Sequence, residues 1–492
     1  MPTSEPTATA VLLTICGVLL AVSVLSSRAS QRIGVPIALV FLAVGILAGS
    51  EGIGGIPFDD YRLAFRMGSV ALALILFDGG LNTPMEVIRR VWAPAGVLAS
   101  VGVVLVAGLV AGLAHLGGLG WPEALVLGAI VSSTDAAATF AVLRSSGLQL
   151  KRRVAATLEV ESGVNDPTAV ILTTTLTFNL LSPGALGLPD MLLGILTELL
   201  IGALIGIGAG YGGRTLIGRL HLVTGGLYPA LLLAFGLLSF GVATLAHGSG
   251  FLSIYLTGIV LGNGPLPYRA GLLRIFDALA WLAQIGMFLM LGLLVFPSRL
   301  GEMASLGLGV ALVLAVLIRP LVVALCLAPF KYPRNETAFI GWVGLRGAVP
   351  IVLATFPVLV GAPGADRIFH LAFFIVAVGA IIPGGTVAWA TRRLGLESGE
   401  PPAPHAVLAI ESRVPLKGEL MSFYIDEALV VSGVKLDDLD FPDGASVALV
   451  VRGDQLIAPK GGTALLPGDH VYLVVQPEDR PLIQLMFGRQ EE

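Results

Sequence analysis

Long apolar runs separated by short polar loops occupy the first four fifths of the chain. A helix needs about 20 apolar residues to cross the hydrocarbon core of a bilayer, and thirteen runs approach or exceed that length. They lie at 8–26, 33–50, 64–82, 92–116, 120–143, 153–181, 190–216, 224–247, 251–266, 272–296, 304–330, 336–361 and 366–391. The pattern predicts an all-α polytopic membrane domain over residues 1–395, with about 13 transmembrane helices.

The pattern changes after residue 395. Residues 396–404 contain three prolines and a glycine and predict a linker. In residues 405–492 the apolar runs shorten to strand length, and glycine-containing turns separate them. The predicted strands are 406–410, 429–431, 446–452 and 471–475. The last part of the chain is therefore predicted to form a small cytoplasmic α/β domain.

Basic residues in the loops predict the orientation of the membrane domain. Loops that follow odd-numbered runs carry 16 Lys and Arg residues, whereas loops on the opposite side carry four. Cytoplasmic loops are enriched in Lys and Arg. We therefore expect the N-terminus outside and the C-terminal domain in the cytoplasm, with the protein in the plasma (inner) membrane.

Composition agrees with this division. The protein is 55% hydrophobic and only 13% charged, whereas soluble domains carry about 25% charged residues. The 492 residues have a net charge of −4, but from Glu397 onward there are 16 acidic and 7 basic residues. The C-terminal domain is thus a separate acidic domain, and nothing in the charge pattern favours a nucleic acid as partner.

Several kinds of chemistry are disfavoured by the residues present. The chain has two cysteines, Cys16 and Cys326, both in apolar runs, which excludes a disulfide framework and a thiolate metal site. No nucleophile–base pair or phosphate-binding glycine loop occurs in the sequence. We expect a protein that is not an enzyme and needs no cofactor.

Two polar stretches nevertheless lie inside predicted transmembrane runs. Residues 132–138 read Ser-Ser-Thr-Asp-Ala-Ala-Ala, and residues 161–167 read Glu-Ser-Gly-Val-Asn-Asp-Pro. An ionisable group in the bilayer costs at least about 2.5 kcal/mol, so such groups face protein or water and serve a function. Oxygen atoms of Asp135, Ser162 and Asp166 would suit a small hard cation, whereas the alternative for each residue is a structural role.

A third stretch would balance these charges. Arg346 lies within residues 341–350, which contain three glycines and a proline, as in an interrupted helix. An arginine stays protonated and must be paired, and we expect Glu161 to be its partner. Other ionisable residues are expected near the ends of runs in structural roles: Asp78, Glu198, Asp277 and Arg319.

Four short motifs carry a family resemblance, and they are Thr134-Asp135, Glu161-Ser162, Asn165-Asp166-Pro167 and Gly344-Leu-Arg346-Gly. Their order and spacing resemble the NhaP-type monovalent cation:proton antiporters, which are relatives of the sodium/proton exchangers. Residues 282–294 look like the potassium/proton antiporter branch. The C-terminal domain is similar to a TrkA-C (RCK C-terminal) domain, which would regulate the protein or dimerise it and could bind a small-molecule ligand.

The resemblance implies a homodimer whose fifth and twelfth helices are broken and whose halves are inverted repeats. It also implies a transport site and a structural ion pair between Glu161 and Arg346. The implied site residues are Thr134, through its backbone oxygen, Asp135, Ser162, Asn165 and Asp166. Asn165 is the residue that is typical of the electroneutral branch.

We therefore expect electroneutral exchange of K⁺ or Na⁺ for a proton, because the carboxyl of Asp166 can hold a proton or a cation but not both. The sequence leaves open which cation is preferred. One alternative is a potassium channel-like uniporter gated by the C-terminal domain. Another is an organic-anion carrier anchored on Arg346.

Overall fold

The computed structural model describes residues 5–33, 36–182, 187–220, 222, 224–398, 408, 418–427 and 429–488. The chain divides into two compact units. The first holds Met1–Gly264 and Ile275–Ser398, and the second holds Pro265–Arg274 and Gly399–Glu492.

Helices account for nearly all of the described membrane domain. They are α1 (Glu5–Ile33), α2 (Ile37–Ala48), α3 (Tyr61–Asn82), α4 (Met85–Val97), α5 (Val103–Leu116), α6 (Trp121–Ile130), α7 (Ala136–Ser145), α8 (Arg152–Leu181), α9 (Leu188–Arg219), α10 (Leu227–Leu245), α11 (Gly250–Gly262), α12 (Arg269–Leu293), α13 (Pro297–Val313), α14 (Arg319–Leu327), α15 (Arg334–Trp342), α16 (Val349–Leu359) and α17 (Ala365–Arg393). Two π-helical turns, Leu98–Gly102 and Leu314–Ile318, join α4 to α5 and α13 to α14, so that each pair forms one continuous helical stretch.

Within the described residues, eight helical stretches are long and apolar enough to cross a membrane. Shorter apolar helices accompany them: Ile37–Ala48, Trp121–Ile130, Ala136–Ser145, Gly250–Gly262 and Val349–Leu359. α8 has 30 residues but carries several charged side chains. The structure is therefore that of a mostly helical membrane protein, and helix occurs in every run that the hydrophobic pattern predicted.

Within the described residues, the chain leaves helical conformation at two places in the middle of an apolar run. Residues 131–135 separate α6 from α7, and residues 343–348 separate α15 from α16. The first interruption ends where Asp135 caps α7, because its carboxylate accepts a hydrogen bond from the Ala138 N–H at 3.0 Å. The two interruptions meet, since the Asp135 N–H donates to the Leu345 carbonyl at 2.7 Å.

Close helix packing supports this arrangement, and α3 and α11 are an example. A Cβ atom at Gly258 of α11 would lie 2.6 Å from the Phe77 carbonyl oxygen of α3. Small residues let membrane helices approach in this way. The contact fixes the position of α11 beside the polar part of α8.

The C-terminal unit contains a four-stranded antiparallel sheet. Its strands are β1 (Glu419–Tyr424), β2 (Ala445–Arg452), β3 (Gln455–Ile457) and β4 (Asp469–Val475), in the order β1-β4-β2-β3, and α18 (Arg480–Phe487) follows them. The core includes Phe423, Val450, Leu473 and Phe487, all nearly inaccessible. Arg452 donates two hydrogen bonds to the buried Asp469 carboxylate, both at 2.8 Å.

Several sequence predictions for this unit can be compared with the structure. The predicted strands 446–452 and 471–475 lie within β2 and β4. The prediction for 429–431 is wrong, because these residues form a turn whose Val431 is buried in the core. The predicted strand 406–410 lies, except for residue 408, outside the described residues.

The predicted linker differs from the structure at its first three residues. Leu396–Ser398 belong to the first unit, because the Lys151 N–H donates to the Leu396 carbonyl at 3.0 Å and the Ser398 N–H to the Gln149 carbonyl at 2.7 Å. A β-bridge between Leu150 and Glu397 lies between these bonds. Residues 399–404, the rest of the predicted linker, are outside the described residues.

Candidate functional site

The interruption between α6 and α7 lies against the middle of α8. Ser162 of α8 bridges it, because the Ser162 hydroxyl donates to the Thr134 carbonyl at 3.0 Å and accepts from the Ala136 N–H at 3.2 Å. Helix ends leave backbone groups without hydrogen-bond partners. Ser162 pairs two such groups at this interruption, a carbonyl of residue 134 before α7 and an N–H of residue 136 at the start of α7. The predicted residues Thr134 and Ser162 are therefore in direct contact.

Asn165 is also part of this cluster. Its side-chain N–H donates to the Thr134 hydroxyl at 2.7 Å, and the residue is fully buried. Glu161 and Asn165 are four residues apart and share a face of α8, as expected from the helical repeat. Asn165 thus positions Thr134 through a neutral amide.

Two carboxyl groups complete the cluster. Asp135 at the start of α7 and Asp166 of α8 are close enough to repel each other when both are ionised, and the Ser133 side chain faces Asp166. Asp166 is 8% exposed. Carboxylate, hydroxyl and carbonyl oxygens are hard ligands that suit hard cations, and either carboxyl can instead take up a proton.

The predicted ion pair between Glu161 and Arg346 is wrong in its partner. Glu161 Oε1 accepts from Arg319 Nη2 at 2.6 Å, and the two side chains are 1% and 3% exposed. Arg346 donates instead to backbone, through Nε to the Val131 carbonyl at 2.7 Å and through Nη1 to the Gly344 carbonyl at 2.9 Å. Arg346 therefore joins the two interruptions, while Arg319 neutralises Glu161.

The reason for this difference lies in the helix that carries Arg319. The residue begins α14, directly after the π-helical turn Leu314–Ile318, and is 2% exposed. The expectation that Arg319 lies near the end of a run is wrong, because the residue is near the centre of the predicted run 304–330, where a charge needs a buried partner. Ser133 carried no comparable signal, since small polar residues also occur at ordinary helix contacts.

Interrupted membrane helices that bring such oxygen atoms together near mid-membrane are typical of secondary transporters. The chain belongs to the sodium/hydrogen exchanger family, because residues 11–393 match the family model for the transmembrane sodium/hydrogen exchanger domain. Residues 420–488 match the TrkA-C domain. The resemblance found in the sequence is thereby confirmed for both parts of the chain.

Individual relatives agree with this assignment. The chain is 42% identical to the K⁺/H⁺ antiporter NhaP2 of Shewanella oneidensis over 477 residues, covering 96% of this chain and 83% of the relative. It is 41% identical to the K⁺/H⁺ antiporter NhaP of Alkalimonas amylolytica, with the same coverage. Among solved structures, the sodium proton antiporter MjNhaP1 of Methanocaldococcus jannaschii matches with a TM-score of 0.67 and 24% identity, over 80% of this chain and all of that one. This last likeness shows the fold.

Proposed function

We propose that the protein is an electroneutral antiporter that exchanges a monovalent cation, K⁺ or Na⁺, for a proton. The observation that carries the proposal is the meeting of Asp135 and Asp166 beside the interrupted helix, with Ser162 and the Thr134 carbonyl next to them. Membership of the exchanger family supports it. K⁺ is favoured as the cation, because relatives that match along 96% of the chain are named K⁺/H⁺ antiporters.

Competition at one carboxyl group couples the two flows. Asp166 binds either a proton or the cation, with the Ser162 hydroxyl, the Thr134 carbonyl and Asp135 as further oxygen ligands. The loaded site is then exposed to the other face of the membrane by alternating access. Asn165 cannot take up a proton and Asp135 serves as a ligand, so Asp166 is the single exchanging carboxyl. One cation therefore exchanges for one proton and no net charge moves.

The arrangement of helices supports thirteen membrane spans. The eight long stretches are joined by α2, α8, α11 and the two interrupted pairs, α6–α7 and α15–α16. The two π-helical turns lie seven spans apart, and so do the two interruptions. An odd offset reverses the direction of a span, as inverted repeats require. The concentration of basic residues in the loops after odd-numbered spans supports an N-terminus outside and a C-terminal domain in the cytoplasm.

We also propose a homodimer in the plasma (inner) membrane, with the TrkA-C domain as a regulatory or dimerising module that could bind a small molecule. The organic-anion alternative is disfavoured, because Arg346 is 4% exposed and two of its nitrogens already donate to backbone carbonyls. A measurement of K⁺-dependent proton movement distinguishes the channel alternative from exchange, because an antiporter moves protons in response to K⁺.

The test is dequenching of a pH-sensitive dye in everted membrane vesicles on addition of K⁺, Na⁺ or Li⁺. Asp166→Asn should abolish cation-dependent proton movement, because the amide cannot bind a proton. Asp59→Asn, at an exposed carboxyl outside the cluster, should exchange like the unmodified protein. Exchange that persists in Asp166→Asn rules out the assigned site.

Electroneutrality has its own measurement. In proteoliposomes, the initial rate of exchange should stay the same when a K⁺-independent membrane potential of either sign is imposed. A clear dependence of the rate on that potential contradicts the one-for-one exchange proposed from Asn165.

A further inference from the structure

The end of the Tyr255 side chain lies in a notch on α8, beside the proposed transport site. Tyr255 belongs to α11 and is 3% exposed. Its hydroxyl and the adjoining ring carbon occupy the space into which a side chain at Gly163 would project. Gly163 therefore has to lack a Cβ atom for the tyrosine to reach this place.

The notch lies between two carboxyl groups on the same face of α8. Glu159 precedes Gly163 by four residues and Asp166 follows it by three, so the three residues are neighbours along one stripe of the helix. The Tyr255 phenol is near enough to Glu159, Asp166 and Thr83 for an electrostatic interaction with each. Because its hydroxyl fills the notch at Gly163, it lies on this stripe of α8 between the positions of Glu159 and Asp166.

Thr83 connects this hydroxyl to Glu159. Its hydroxyl donates to the Gly79 carbonyl at 2.6 Å and lies 3.3 Å from Glu159 Oε1. The Asn263 side chain, at the end of α11, donates to the Thr83 carbonyl at 2.9 Å and accepts from the Met85 N–H at 2.8 Å. The end of α3 is therefore held against the end of α11, which keeps Thr83 in position.

Glu159 lacks the neutralising partner that Glu161 has. Among the residues that the structure describes, no basic side chain lies within 4.0 Å of it, whereas Glu161 forms an ion pair with Arg319. A partly buried carboxylate without a counter-charge attracts cations. Glu159 lies nearer than Asp166 to the beginning of α8, the end that we assign to the cytoplasm.

We propose that Glu159 is the carboxylate that receives the cation on the cytoplasmic side and passes it to Asp166 along the hydroxyls of Thr83 and Tyr255. This inference rests on the proposed exchange function. It adds Glu159 and Tyr255 as residues that set the affinity for the cation from one face of the membrane. A purely structural role for the Glu159–Thr83 contact would give no such difference between the faces.

The test measures the apparent KM for K⁺ separately from each face, in everted and in right-side-out vesicles. For Glu159→Gln, the value measured from the cytoplasmic face should rise about fivefold, as expected for the loss of one charge near the cation, and should stay within about twofold from the other face. Glu159→Asp should restore most of the affinity. Glu302→Gln, an exposed glutamate of α13, is the matched control.

Tyr255→Phe gives a second, independent variant that keeps the ring in its notch. It should raise the cytoplasmic-face KM as well, and the double variant with Glu159→Gln should raise it by less than the product of the two single-variant factors, because both residues act on one step. An unchanged cytoplasmic-face KM in active Glu159→Gln overturns the inference. If Glu159→Gln does not insert, an unchanged KM in Tyr255→Phe overturns it.

Asp166→Asn in the same vesicles separates this inference from the proposed function. If that variant still exchanges, the transport site itself is wrong. If Asp166→Asn is inactive while both other variants keep the KM of the unmodified protein, only the role of Glu159 and Tyr255 is rejected.

Discussion

Glu161 and Arg319 are a buried ion pair at the centre of the membrane domain, and each depends on the other. Both side chains are at most 3% exposed. Removing one member of a buried pair leaves a charge without a partner and costs about 3–5 kcal/mol, whereas replacing both often costs less. The pair is therefore expected to act on folding rather than on ion binding.

The corresponding prediction concerns stability. Arg319→Met should lower the thermal unfolding midpoint of the purified protein strongly, because Glu161 stays buried without its partner. The double variant Glu161→Gln with Arg319→Met should recover part of the loss. A single variant as stable as the unmodified protein contradicts the importance of this pair, and Arg299→Met, at an exposed arginine, is the control.

The residues of the candidate site show what sequence alone could and could not predict. Asp135, Ser162, Asn165 and Asp166 stood out because polar groups are rare inside apolar runs, and the structure brings them together. Which arginine meets Glu161 could not be predicted, because both Arg319 and Arg346 lie inside runs and the choice depends on how distant helices pack. Sequence patterns report burial, and they do not report the neighbour across an interface.

Among the elements, the contact between α3 and α11 is sensitive to one methyl group. A Cβ atom at Gly258 would lie 2.6 Å from the Phe77 carbonyl oxygen and 3.1 Å from the Gly80 Cα atom. Both are backbone atoms, which cannot rotate away. The helices must therefore separate to accommodate any larger residue.

Gly258→Ala should consequently destabilise the protein by about 1–3 kcal/mol, the usual cost of overpacking. Gly241→Ala in α10 is the matched control, because nothing lies within 4 Å of the Cβ position there. The comparison is the thermal unfolding midpoint of each purified variant, monitored through the loss of its monodisperse peak. Equal midpoints for the two variants refute the close contact.

Glu51 connects the turn after α2 to the first residues of α13. Its carboxylate accepts from the Ser298 N–H at 2.8 Å and from the Ser298 hydroxyl at 2.5 Å. These hydrogen bonds lower the pKa of Glu51 below its ordinary value of 4.5. A lowered pKa means that the contact stabilises the protein above the unfolded value and is lost as the pH falls through the folded value.

The unmodified protein should therefore lose stability through this contact as the pH falls below the ordinary pKa of 4.5 and through the lower pKa of Glu51 in the folded protein. Glu51→Gln should show a smaller change in unfolding midpoint over the same interval, since its amide does not titrate. Glu302→Gln should behave like the unmodified protein. An identical change in Glu51→Gln shows that the contact has no part in the acid response.

Elements differ in how well the sequence predicted them. Helices were predictable because each apolar run is long and nearly uninterrupted. In the C-terminal unit, β2 and β4 were found as apolar runs, but β1, β3 and α18 were missed. β1 pairs with β4, the last of the described strands, and a pairing between strands so far apart leaves no local pattern.

At the scale of the whole molecule, every residue of the candidate site belongs to the first compact unit. The C-terminal unit has its own sheet and its own buried core. The membrane domain should therefore assemble its ion site without the C-terminal domain.

A chain ending at Ser398 is expected to insert and to keep cation-dependent proton exchange in everted vesicles. Its rate is to be measured against that of the full-length protein at equal amounts in the membrane, with Asp166→Asn as the inactive reference. Loss of exchange in a truncated chain that inserts normally contradicts the independence of the membrane domain and makes the C-terminal domain part of the transport cycle.

The backbone pairing of residues 149–151 with 396–398 fixes where the C-terminal domain is tethered. Lys151, which takes part in it, is the residue immediately before α8. The last described residues of the membrane domain are thus paired with the segment that leads directly into α8, the helix that carries Asp166. Ser398 therefore ends beside the first turn of that helix and not only beside the end of α17.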